Sequence, residues 1–147
     1  PDLRGAERMA NSTPVDAHFL VNGFYAFSGR ALVGSDAGWW LPLLAGRSTI
    51  LTPLNASFEQ QAASAEGETV QQLVAALQNP DKPSREIKNL IQSLGITHIF
   101  IGQQQGQVNA GAPLLDPQAI ASTPGYKLVY RQDRVWIFEV ISGNDYP

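Results

Sequence analysis

Two helix patterns running straight into a strand with almost no polar face constrain this chain most. Val70, Leu73, Val74 and Leu77 recur at i, i+3, i+4 and i+7, and so do Ile87, Leu90, Ile91 and Leu94. That spacing lays one apolar stripe along an α-helix, and the stripe must be buried against something. Thr69 and Gln72 have the spacing of a capping box at the start of the first helix, and Pro80 closes it. Ser84 is the expected N-cap of the second. Gly95 stands where a left-handed residue can end that helix, with Ile96 folding back onto Ile91. Ile96 to Ile101 then reads Ile-Thr-His-Ile-Phe-Ile, apolar on nearly both faces. A strand of that kind belongs inside a sheet covered by helices on both sides.

The other segments agree with such a sheet. Glu7, Arg8 and Met9 are read as the end of a short helix, broken at Asn11-Ser12-Thr13-Pro14. His18 to Asn22 is a strand stopped by Gly23, and Ser48 to Leu51 is a second, stopped by Pro53. Phe24 to Leu32, aromatic and punctuated by glycine, reads either as a loop or as an irregular strand. Leu54 to Gly67 is polar and reads as mobile or loosely helical. Asp116-Pro117 opens a helix, with Asp as cap, Pro at the first position and a staple between Leu115 and Ile120. Tyr126 to Tyr130 and Val135 to Val140 form a hairpin whose turn, around Gln132-Asp133, lacks the Asn-Gly or Asp-Gly pair of the tightest turns. The expected fold is α/β: a three-layer-like mixed sheet, partly parallel, with covering helices and a C-terminal antiparallel hairpin, residues 1–147 forming a single domain.

Composition removes several function classes. With 10 Lys and Arg against 13 Asp and Glu, the net charge is -3, so nucleic acid is not an expected partner. There is no cysteine, which excludes disulfides, thiolate metal sites and cysteine nucleophiles. Two histidines, His18 and His98, are too few for a multi-histidine metal site, and no cofactor or metal is expected. Gly29 and Gly34 have the spacing of a phosphate loop, but Ser35 stands where its lysine belongs, so both are read as turn residues. Ser35 and Asp36 with a histidine suggest a hydrolase triad, yet the flanks are not Gly-x-Ser-x-Gly, and His98 is read as a partly buried strand residue. Asp16 and His18, two apart, would share a strand face. Asn55-Ala56-Ser57 matches a glycosylation sequon, a short motif that recurs by chance. No catalytic residue can be assigned.

Ser35 to Arg47 holds two of the three tryptophans, side by side in a run broken by Pro42. Asp36 is read first as the N-cap of a short helix carrying them, with one Trp buried and the other partly exposed. In the other reading Asp36 bonds a sugar hydroxyl while Trp39 or Trp40 stacks on the ring. Ligands of open α/β sheets sit beyond the carboxyl ends of the strands. On that logic Asn22, Gly23, Gly102 and Gln103 join Asp36, Trp39 and Trp40 as candidate ligand-binding residues.

Four segments together carry a family resemblance: Thr13 to Val21, Ser35 to Arg47 (Ser-Asp-Ala-Gly-Trp-Trp-Leu-Pro-Leu-Leu-Ala-Gly-Arg), Leu94 to Gly102, and the closing pair Tyr126 to Tyr130 and Val135 to Val140. They resemble the C-terminal part of polytopic membrane glycosyltransferases of the GT-C type, whose relatives include protein mannosyltransferase-like and lipid-sugar-dependent enzymes. The resemblance implies a soluble accessory domain on the extracytoplasmic face of the cell membrane, a fragment of a longer protein. Its implied partners are the transmembrane portion of the same polypeptide and a glycan or lipid-linked sugar. The family's catalytic acidic residues lie in loops of the membrane part, so none is carried onto this chain. A free-standing carbohydrate- or small-ligand-binding α/β domain is the alternative.

Overall fold

The computed structural model describes residues 1–26, 31–51, 65–79, 84–106 and 113–141. In chain order come helix α1 (Asp2–Ser12), strands β1 (His18–Val21), β2 (Gly23–Ala26) and β3 (Ala31–Gly34), and a 3-10 turn (Gly38–Trp40). Helix α2 (Leu41–Ala45), strand β4 (Ser48–Thr49), and helices α3 (Ala65–Gln78) and α4 (Ser84–Ser93) follow. Strand β5 (His98–Ile101), helix α5 (Pro117–Ser122), and strands β6 (Tyr126–Gln132) and β7 (Val135–Val140) complete the chain.

Five strands make one sheet in the order β4-β1-β5-β7-β6, while β2 and β3 pair separately. Strands β4, β1 and β5 are parallel, with His18 beside Ser48 and Leu20 beside Ile99. Strand β7 runs antiparallel to both β5 and β6. The fold is therefore the expected mixed α/β sheet with a C-terminal antiparallel hairpin. The chain leaves β1 for β4 on one side and returns for β5 on the other, so a crevice opens at the carboxyl ends of β1 and β5.

Side chains alternate along strands. By register, Phe19, Val21, Phe100, Val135 and Ile137 share one face with His98, and Leu20, Ile99, Ile101, Trp136 and Phe138 share the other. All of them are buried. Full burial of each such aliphatic or aromatic side chain contributes about 1.5–3 kcal/mol before entropy is subtracted. Helix α1 lies close on the first face, where a Cβ on Gly5 would come within 2.9 Å of Val135 Cγ1 and 3.4 Å of Phe100 Cε2. The 3-10 turn presses on the same face through Gly38, beside Val21. Leu73, Val74, Ile91 and Leu94, the expected stripes of α3 and α4, join the same core cluster.

Local signals were realised where nothing distant competed. Gly95 takes φ 63°, Ile96 N donates to Ile91 O and Gly95 N to Gln92 O, which is a Schellman ending. Asp116 Oδ1 accepts from Gln118 N and Ala119 N, and Pro117 is the first residue of α5. Four readings need correction. Helix α3 begins at Ala65, so Thr69 lies inside it and forms no capping box at its start. Of Phe24 to Leu32, residues 24–26 and 31–32 lie in β2 and β3, the strand reading, and residues 27–30 lie outside the described residues. Gly34 ends β3 against Leu51 and is not a turn residue. Asp16 lies in a turn before β1 and not on a strand with His18. The hairpin turn is Asp133-Arg134, with φ 51° and 69°, the sign pattern of a type I′ turn without glycine. Pro53, the sequon at Asn55, Pro80 and Gly29 lie outside the described residues.

Arg47 ties the first half together. It is 8% exposed, and its guanidinium donates to Ala10 O (2.9 Å), Thr13 O (2.8 Å), Thr13 Oγ1 (3.1 Å) and Ala45 O (3.0 Å). It thus satisfies carbonyls left open at the ends of α1 and α2, where the helix dipoles also favour a cation.

Candidate functional site

The crevice beyond β1 and β5 is assembled from three distant segments. Asn22, the residue after β1, is 1% exposed. Its backbone carbonyl accepts from Ser35 N at 2.7 Å, and its Oδ1 accepts from Leu115 N at 2.8 Å. The loop after β5, Gly102 to Gly106, closes over it, with Gln105 N bonded to Gly102 O at 2.9 Å. Gly106 is forced: its φ is +75°, and a Cβ there would lie 2.4 Å from Asn22 Cγ. At the other end of the loop, Gln103 N donates to Asp2 Oδ1 at 2.8 Å, which anchors the loop to the start of α1.

Asp36 reaches into this loop. Its φ is 59°, a left-handed conformation that Asp tolerates better than most residues. Its Oδ2 accepts from Gly106 N. Burial raises the carboxyl pKa above its ordinary value near 3.8, and nearby Asp2 adds to the rise. Backbone N–H groups of Gly106, Gln104 and Gly102 pull it back. The expected N-cap role is therefore overturned: Ala37 precedes the 3-10 turn, no side chain caps it, and the carboxylate bonds residues 70 positions away. The distant loop offered N–H donors in a partly dry site, a stronger attraction than a short exposed turn.

Three buried side-chain atoms in this cluster have no partner among the described residues: Asn22 Nδ2, Ser35 Oγ and Asp36 Oδ1. An unpaired buried polar atom costs about 1–3 kcal/mol, so native proteins keep few of them and each calls for a reason. Beside them, a cleft of about 290 Å³ is lined by Phe24, Val33, Gly34, Ser35, Asp36 and Trp39. Trp39 and Trp40 are 38% and 47% exposed, which corrects the expectation of one buried and one exposed ring. Leu41, the next residue, takes the inward position instead. The two indoles stand 5.1 Å apart at 55°.

Of the candidate residues, Asp36 and Trp39 meet in one cleft, and Asn22 lies behind Asp36. Gln103 joins through its backbone, and Trp40 does not line the cleft. Gly106 and Asp2 are members that sequence reasoning missed, and Ser35 it weighed only for a phosphate loop and a triad. A glycine after the strand was visible at Gly106, but nothing local tells that it closes on Asn22. The triad reading fails on geometry. His18 and His98 open β1 and β5 at their amino ends, whereas Ser35 and Asp36 sit at the carboxyl ends, roughly 10 Å of strand away. No cluster of three potential metal-ligating side chains is present among the described residues. What remains is a cleft with apolar and indole faces beside Ser35 and Asp36, whose Oγ and Oδ1 are buried.

No family model matches the chain, and no curated protein does. Among solved structures, the C-terminal globular domain of an oligosaccharyltransferase from Archaeoglobus fulgidus superposes with a TM-score of 0.50. It shares 11% identity and covers 93% of this chain and 94% of that one. The likeness is one of fold. No helix among the described residues is long and apolar enough to cross a membrane.

Proposed function

We propose that this chain is a non-catalytic accessory domain of a multi-span, glycosyltransferase-like membrane protein. It acts on the extracytoplasmic face and takes part in recognising the acceptor or glycan. Two findings support the reading from different directions. The fold matches, over 93% of the chain, a domain that belongs to an oligosaccharyltransferase. The observation that carries the recognition role is the cleft in which Trp39 stands next to Asp36 and Ser35. An indole face suits the C–H surface of a pyranose, and a carboxylate and a hydroxyl beside it suit its hydroxyl groups.

Calorimetric titration with a panel of mono- and oligosaccharides tests the site. Binding that weakens about tenfold or more in Trp39→Ala and in Asp36→Asn supports it. Binding unchanged in both variants, or none in the parent chain, removes it. The reading frame upstream of Pro1 tests the accessory role separately: several apolar spans support it, and a start codon a few residues upstream defeats it.

A further inference from the structure

A second concavity lies at the opposite end of the sheet from the crevice. It is a groove of about 450 Å³ between the end of α1 and the β6–β7 ribbon. We propose that this groove binds a small organic carboxylate with an apolar body, held by Arg8, Lys127 and His98.

The volume falls in the range of small-molecule pockets, roughly 300–1,000 Å³. Met9 and Ile137, both buried, lie beneath it, and Leu128 and Val129 border it on β6. Three side chains then offer N–H groups to whatever enters. Arg8 is exposed and forms no ion pair among the described residues. Lys127 lies 3.4 Å from Glu139, but the two side chains are 64% and 45% exposed. A pair so open to water is worth little, so the ammonium can turn to a ligand at small cost. His98 is held in place by stacking on Phe19, with ring centres 5.0 Å apart, and by Thr97 Oγ1 at 2.9 Å from Nδ1. Which of the two donates in that bond follows the tautomer, and a ring nitrogen that carries the proton is a donor. Burial lowers the His98 pKa below its ordinary 6.5, so the ring donates as a neutral group.

Charge selects the ligand. Arg8 and Lys127 against Glu139 leave one positive charge over in the lining. A single excess positive charge above apolar walls fits a monoanion with a hydrocarbon body better than a neutral molecule or a bare multivalent anion. The groove shares no residue with the Trp39 cleft, so the two proposals fail independently.

Backbone amide NMR spectra of the whole chain, titrated with 3-phenylpropionate, 3-phenylpropionamide and inorganic phosphate, test the proposal. Saturable shifts at His98, Lys127 and Leu128 are expected with the carboxylate, and binding about tenfold weaker with the amide and with phosphate. Arg8→Gln, at an exposed position, and Lys127→Gln should each weaken carboxylate binding about fivefold with the fold intact. The proposal is overturned by no saturable shift at about 10 mM carboxylate. It is equally overturned by amide or phosphate binding as tight as carboxylate, or by unchanged binding in the Arg8→Gln/Lys127→Gln double variant.

Discussion

Arg47 and Asp36 are both charged residues drawn away from water, and the fold treats them in opposite ways. Arg47 donates to backbone carbonyls of two helix ends and to Thr13 Oγ1. Asp36 has one oxygen on Gly106 N and the other buried with no partner among the described residues, as are Asn22 Nδ2 and Ser35 Oγ beside it. A satisfied buried charge holds structure together, whereas unpaired buried atoms cost stability, which is why this cluster is the candidate site. The contrast separates framework from candidate site without reference to any relative.

The sharpest way to break the comparison is Arg47→Met. It leaves those helix-end carbonyls without their donor and should cost about 4 kcal/mol, a fall in Tm of roughly 12 °C. Thermal and urea unfolding showing a loss below about 1 kcal/mol would deny Arg47 its framework role. Next comes Gly106→Ala. A left-handed alanine, with its Cβ forced onto Asn22, should cost about 3 kcal/mol by the same measurement. Asp36→Ala should cost about 2 kcal/mol, through the lost Gly106 bond and the strained φ. Asp36→Asn keeps an acceptor and suits φ 59°, so it should stay within about 1 kcal/mol of the parent.

The pH dependence of that pair adds a signed test. The Asp36 pKa is raised on folding, so its favourable contribution is complete below about 3.8 and is lost as pH rises through the folded value. The parent should therefore lose stability relative to Asp36→Asn as pH climbs from 4 toward neutrality. A flat difference would show that the carboxyl is not desolvated. The smallest effect expected is at His98, whose pKa burial lowers, with Glu139 opposing. Its contribution is complete above 6.5 and is lost as pH falls through the folded value. In His98→Phe the decline in stability below pH 6.5 should be shallower than in the parent, as read by urea titration at several pH values.

Legibility followed the range of the interactions. The strands of the closing hairpin and the buried strand β5 were readable, as each is a short apolar, β-branched or aromatic run bounded by turn residues. The two members of the site that lie just after strands, Asn22 and Gln103, could be placed by the rule for parallel sheets. The misreadings at Asp36 and at the tryptophans share one cause. Each was judged against its neighbours in sequence, while its environment came from Gly102 to Gly106 or from Leu41 occupying the inward position.

What the sequence determined by itself was a share of the local pattern: the stripes of α3 and α4, the Gly95 ending, and the Asp116 cap. These depend on side chains at fixed spacing along one segment, so no distant partner was needed to write them. Only the tertiary structure decided that β1 lies between β4 and β5, that Arg47 serves two helix ends, and that Asp36 clamps a loop 70 positions away. Those outcomes depend on which donors and acceptors are brought together once water is excluded, and that is a property of the packed chain and of no single segment.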